Sequence, residues 1–189
     1  MSLSTPVFAN KTLEEFLKLP ETKPASEYID GKIYQKLMPQ GEHSTLQSSL
    51  VTAINEIGKP QKLAYAFPEL RCTFSETSIV PDIAVFEWSR IPLRPNGRIA
   101  NKFEIPPDWI IEILSPEQSP NRVIRKIMFS IQNGTKLGWF LDPDDESIMI
   151  FQPDQLPEIK AGKHILPVLS VLVNWQLTVE DVFSYLSFN

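Results

Sequence analysis

A mixed α/β (or α+β) fold is expected for this chain, on three observations. Segments of helical and of strand periodicity follow one another, with helices on either side of a central run of strands. The strand segments are short, rich in β-branched and aromatic residues, and bounded by proline, glycine or polar residues. The length, 189 residues, suits one domain with a sizeable core, and no linker, repeat or low-complexity tract divides it.

Thr12 followed by Glu15 is a capping-box pattern, and it opens a short helix that runs to Leu17. Residues 20–26 are loop. Asp30-Gly31, set between alternating apolar positions of residues 27–37, predicts a β-hairpin. Leu46, Leu50, Ala53, Ile54 and Ile57 recur at helical spacing, so residues 41–58 read as an amphipathic helix. Residues 63–74 and 79–86 read as two strands joined by the polar turn Ser75-Glu76-Thr77-Ser78. Residues 88–106 are proline-rich, basic and irregular, a length of loop that is often functional or mobile. A strand at 108–114 precedes a helix at 119–133, which Gly134 ends as a left-handed cap. Strands at 137–141 and 148–151 flank the turn Asp142-Pro143-Asp144-Asp145. Residues 153–164 hold a loop with at most a short strand, and Thr178 with Asp181 caps a terminal helix over 178–186.

Composition excludes several classes. No apolar run approaches a membrane span. The start of the chain lacks a basic region followed by a long apolar stretch, so a cytoplasmic protein without an export signal is expected. Cys72 is the single cysteine, which rules out an internal disulfide and a multi-cysteine zinc site and fits a reducing compartment. There is no nucleophile elbow, P-loop or dinucleotide fingerprint, so no organic cofactor is expected. His43 and His164 have no metal-ligand spacing. The net charge of −5 argues mildly against tight nonspecific nucleic-acid binding, although a local patch outweighs the total. Arg90, Arg94, Arg98 and Lys102 form one sparse basic stretch, and Arg122, Arg125 and Lys126 a second. Taken alone, each is a solvated loop or helix surface.

Chemistry is suggested by two acids. Val80-Pro81-Asp82-Ile83-Ala84-Val85-Phe86 and Trp109-Ile110-Ile111-Glu112-Ile113-Leu114-Ser115-Pro116 are apolar strand segments, each carrying one carboxylate. A buried carboxylate must be paired, protonated or metal-bound, because an isolated one is too costly to desolvate. If the strands are neighbours, Asp82 and Glu112 could share Mg²⁺ or Mn²⁺, which takes one or two carboxylates plus water and substrate phosphate. Judged by residue type alone, Asp82 reads as a turn acid after Pro81, and Glu112 as a salt-bridged strand residue.

These segments carry a resemblance. Pro81-Asp82 followed by Glu112-Ile113-Leu114 resembles the bipartite signature of the PD-(D/E)XK nucleases. Four stretches together resemble the Uma-two family of restriction-endonuclease-like proteins, common in cyanobacteria. They are Glu27-Tyr-Ile-Asp-Gly-Lys-Ile-Tyr34, Val80-Pro-Asp-Ile-Ala-Val85, Ile111-Glu-Ile-Leu-Ser-Pro116, and Lys126 with Gly134 and Trp139-Phe-Leu-Asp-Pro143. The match covers residues 12–151. It implies a restriction-endonuclease-like core, with a mixed central sheet flanked by helices. It implies a Mg²⁺- or Mn²⁺-dependent endonuclease acting on DNA, working as a homodimer, with Asp82 and Glu112 as metal ligands. The superfamily lysine would fall at Leu114; in this family its counterpart lies on the following helix, at Lys126. Lys126 sits off the apolar stripe of Val123, Ile124, Ile127, Met128 and Ile131, so it is expected at the rim of a cleft, its stem snorkelling inward.

The resemblance also implies an acid on the first long helix, for which Glu42 is the candidate; a helix-start acid favoured by the macrodipole is the plainer account. His43 could contact phosphate or shuttle a proton, and Glu69 could be a third acid at the metal. Glu27 reads as structural. Arg90, Arg94, Arg98 and Arg122 are the candidate DNA contacts. Arg122 and Ser130 depart from the family, which often has an acid and a tyrosine there. Two alternatives therefore stand beside the enzyme. One is a nucleic-acid-binding protein that keeps the fold but not the activity. The other is a protein-interaction module that uses the apolar segment 166–175.

Overall fold

The structure, a computed structural model, describes residues 11–188. The first ten residues, on which the expected lack of an export signal partly rests, lie outside the described residues. Helix α1 (Leu13–Leu17) forms with its capping box, the Thr12 hydroxyl accepting from the Glu15 amide and the Glu15 carboxylate from the Thr12 amide. Strands β1 (Ser26–Ile29) and β2 (Lys32–Gln35) make the hairpin, its Asp30 and Gly31 at φ of 51° and 74°. Helix α2 (Gly41–Gly58) buries His43, Leu46, Leu50 and Ile54, a helical spacing that presents one face.

The chain then builds β3 (Ala64–Pro68), β4 (Cys72–Phe74), β5 (Thr77–Ile79) and β6 (Ile83–Glu87). The strand expected over residues 63–74 is therefore broken in the middle, and of the one expected over 79–86 only 83–86 lies in β6, while Thr77–Ile79 pairs as β5 where a turn was expected. Glu69 stands at a φ of 49° and ends β3, and Pro81, which has no amide to give a ladder, separates β5 from β6. The breaks let the chain change sheets. A small sheet runs β2-β1-β5-β4, while β3 and β6 belong to a larger one. That larger sheet is completed by β7 (Trp109–Ile113), β8 (Leu137–Asp142), β9 (Ser147–Phe151) and β10 (Glu158–Ala161), in the order β10-β9-β8-β7-β6-β3. All its pairings are antiparallel except β7 with β8, which α3 (Pro120–Gln132) connects as a crossover.

The pleat of β6 and β7 divides their side chains between two cores. Ile83, Val85, Trp109, Ile111 and Ile113 pack with α2 and with α4 (Val179–Ser184). Ala84, Phe86 and Ile110 pack with Val123 and Ile127 of α3. The long segment between β6 and β7 is anchored rather than free: Trp88–Arg90 is a 3₁₀ turn, Phe103 is buried, and the Thr73 amide donates to the Phe103 carbonyl. The apolar C-terminal stretch contributes Leu166, Leu169 and Leu172 to the core, so those side chains are not a free docking surface. No helix among the described residues is long and apolar enough to cross a membrane.

Gly138 on β8 sets the distance of α3 from the sheet. A Cβ there would collide with Ile127 and crowd Phe151 at 3.3 Å. Gly138→Ala is therefore expected to displace α3 and to cost about 1–3 kcal/mol, as overpacking does, measured by urea denaturation. Because Lys126 precedes Ile127, the displacement should carry the Lys126 side chain with it.

Candidate active site

Asp82 and Glu112 meet at the edge where β6 begins and β7 ends. Ile83 is paired with Ile111, so the antiparallel register carried one residue further puts Asp82 opposite Glu112. The Ile113 amide donates to Asp82 Oδ2 at 2.8 Å, tying that carboxylate to β7. Both acids are buried, Asp82 to 2 % exposure and Glu112 to 1 %. Two carboxylates facing one another in a dry site repel, so positive charge must stand beside them.

Two lysines supply it. Lys126 is only 5 % exposed, and its ammonium lies 2.8 Å from Glu112 Oε2 and 2.9 Å from Glu27 Oε1. This corrects the expected rim position. The buried residues of α3 are Val123, Lys126, Ile127 and Ser130, whereas Met128, assigned to the apolar stripe from sequence, is exposed. The inward face is turned by about one residue because the small sheet, with Glu27, covers that side and offers a partner. Glu27 is correspondingly more than a remote structural acid, since the same oxygen accepts from the Val80 amide at 2.8 Å.

Lys36 is the second lysine, and sequence reasoning did not single it out. It follows β2, and its ammonium donates to Asp82 Oδ1 at 2.7 Å, Glu69 Oε1 at 2.8 Å and the Val80 carbonyl at 3.0 Å. A lysine that ends a strand is ordinarily solvated, and no local pattern marks this one. His43 Nε2 lies 3.1 Å from Asp82 Oδ2, and Gln47 donates to the Asp82 carbonyl and to Glu69. His43 and Glu69 thus join the cluster, Glu69 through Lys36. Glu42 stays exposed in the first turn of α2, and no carboxylate of the cluster is tied to it by a hydrogen bond.

Charge and burial act differently on the two acids. Burial pushes Asp82 up, but the Lys36 ammonium and the His43 hydrogen bond outweigh it and hold the carboxyl well below the usual range. For Glu112 burial wins. Lys126 shares its charge with Glu27 and only partly offsets that burial, the facing Asp82 adds to it, and Glu112 is pushed up to about 8. Both lysines are pulled down by burial and raised overall by their carboxylates.

Among the described residues, Glu112 Oε1 and His43 Nδ1 are buried without a partner. An unpartnered carboxylate oxygen in a charged cluster is available to a cation. Among the described residues no group of three or more His, Cys, Asp and Glu side chains is arranged around a common point for a metal. Two carboxylates with water and phosphate suffice for Mg²⁺, so the donor set fits that ion and not a zinc cage. A cavity of about 450 Å³ opens onto Lys36, His43, Gln47, Glu69, Asp82 and Ser115.

The candidate DNA contacts are distributed unevenly. Arg90 is held by the buried Asp108 at 2.6 Å and by the Pro106 carbonyl, so its charge is spent within the fold. Arg94 donates to the Ile99 carbonyl and to Asn101, bracing its own loop, and Arg98 is exposed on that loop. Arg122 stacks over the Tyr34 ring at 4.7 Å, on the side of α3 toward the hairpin. Ser130 donates to the Lys126 carbonyl at 3.0 Å.

This fold has known counterparts. The chain matches the Uma2 family, described as "Putative restriction endonuclease", over residues 13–180. It belongs to that family. A crystal structure of a protein from Anabaena variabilis ATCC 29413, titled a "putative nuclease belonging to DUF820", shares 53% sequence identity and superposes with a TM-score of 0.92. The alignment covers 94% of this chain and 99% of that one. No curated protein matches the chain. Family and fold are thus those of the restriction-endonuclease-like nucleases, as the sequence resemblance implied. Asp82, Glu112 and Lys126 fall into one cluster although they come from three separate parts of the chain.

Proposed function

We propose that this Uma2 protein is a Mg²⁺- or Mn²⁺-dependent endonuclease that hydrolyses phosphodiester bonds in DNA. The observation that carries the reading is Lys126, buried and 2.8 Å from a Glu112 that faces Asp82 across two adjacent strands. Asp82 and Glu112 would hold the ion. When bound, it would supply a hydroxide from its water and polarise the phosphoryl oxygen. Lys126 has three N–H groups and places two on Glu112 and Glu27, which leaves one for an oxygen on which negative charge develops. Glu27 positions that ammonium, and Lys36, His43 and the Ile113 amide hold the plane of the Asp82 carboxylate. Arg98, exposed on its loop, would be the first arginine to test for contact with the DNA backbone. A homodimer would give each strand of a duplex its own site.

Supercoiled plasmid incubated with the purified chain and Mg²⁺ or Mn²⁺ is expected to be nicked and linearised, and to stay intact with a chelator. Asp82→Asn should lose cleavage by at least about a hundredfold while melting as a folded protein. Undiminished cleavage by that variant would remove Asp82 from the reaction. DNA binding without cleavage under every divalent ion would favour the non-catalytic form instead.

A further inference from the structure

The number of ions that the site can hold follows from its acceptors and donors. A carboxylate offers about four acceptor positions, two on each oxygen. Asp82 has three of them occupied: Oδ1 accepts from Lys36 at 2.7 Å, and Oδ2 faces the Ile113 amide at 2.8 Å and His43 Nε2 at 3.1 Å. Glu112 is the opposite case, with Oε2 on Lys126 and Oε1 without a partner. Lys36 is saturated. Its ammonium has three N–H groups, and Asp82, Glu69 and the Val80 carbonyl take all three at 2.7, 2.8 and 3.0 Å. It bridges two carboxylates as a divalent cation would, beside the place left open at Glu112. Phosphodiesterases that use two ions set them about 4 Å apart as a clamp on the attacking and leaving oxygens.

We propose that Lys36 is a built-in second cation. Its ammonium fills the position between Asp82 and Glu69, so the site takes a single divalent ion, held from the Glu112 side. This rests on the metal-dependent reading above. Lys36 is then a positioning residue: it neutralises charge that would otherwise recruit a second ion, and it fixes the one Asp82 oxygen that still has a free lone pair. The two carboxylates bridged by Lys36 differ usefully. Asp82 is buried, whereas the Glu69 side chain is 42 % exposed, so Glu69 can be changed with little effect on folding.

The test is a Mn²⁺ titration of the purified chain, with free Mn²⁺ followed by electron paramagnetic resonance and folding checked by thermal melting. Wild type is expected to bind one Mn²⁺ per chain. Lys36→Gln should bind two, Lys36→Arg one, and Lys36→Gln combined with Glu69→Gln one again. Two ions bound by wild type would overturn the proposal, as would a folded Lys36→Gln that binds only one. If Lys36→Gln does not fold, the wild-type count still decides between one ion and two. No Mn²⁺ bound by wild type would overturn the metal-dependent reading itself, and this inference with it.

Discussion

Lys126→Met is expected to lower DNA cleavage by about a hundred- to a thousandfold, the scale for losing one preorganised donor to a developing oxyanion. It is also expected to cost about 3–5 kcal/mol of stability, because removing one member of a buried ion cluster strands the others. The stranded groups are Glu27 and Glu112, whose oxygens lie 2.9 and 2.8 Å from the ammonium. Glu112 is already pushed up to about 8 by burial, so it can discharge by taking a proton. The penalty of Lys126→Met should therefore shrink as pH falls from 9 to 6, and it should shrink at all pH values when Glu112→Gln is added. Urea denaturation of the single and double variants across that range measures both effects. A penalty that is small and independent of pH would mean that Lys126 is not holding these carboxylates.

The second large effect is on pH. Glu112 releases its proton near 4.5 in an unfolded chain and near 8 in the folded one. Between those values the folded state holds the extra proton. Its contribution to stability is fully present below about 4.5 and is lost as pH rises through about 8. Asp82 acts with the opposite sign, since its folded-state carboxyl lies below the usual range. It contributes stability above its ordinary value of 3.8, and that contribution is lost as pH falls. The metal-free protein should thus lose stability between about pH 5 and 8, and Glu112→Gln should flatten that slope. Metal binding requires the ionised carboxylate, so the affinity for Mn²⁺ should weaken by about tenfold per pH unit below 8. Calorimetric titration at pH 6, 7 and 8 checks this. An affinity that does not change over that interval would remove Glu112 from the ligand set.

Much of the fold could be read locally. The capping boxes at Thr12 and Thr178, the Asp30-Gly31 hairpin and the helix over residues 41–58 each follow from contacts within a few residues, and all of them form. What failed were the strand lengths. A run of apolar residues does not reveal that Glu69 and Pro81 interrupt it to move the chain between sheets. The two central acids were legible for a physical reason: a charge inside an apolar strand demands an explanation wherever that strand goes.

Lys126 marks the limit of such reading. Its helical neighbours suggested a solvent-facing side, and only the resemblance to a family assigned it chemistry. Its actual orientation is decided by Glu27, 99 residues earlier in the chain. Lys36 reaches Asp82 across 46 residues, and no pattern near it distinguishes it from an ordinary surface lysine. By itself the sequence determined the fold class, the hairpin and helix starts, and the two carboxylates that need a counter-charge. Only the tertiary structure decided which cations answer them. Burial, and with it the strength and sign of each charge's effect, is set by which elements happen to pack together, and that information is not carried by any one segment of the chain.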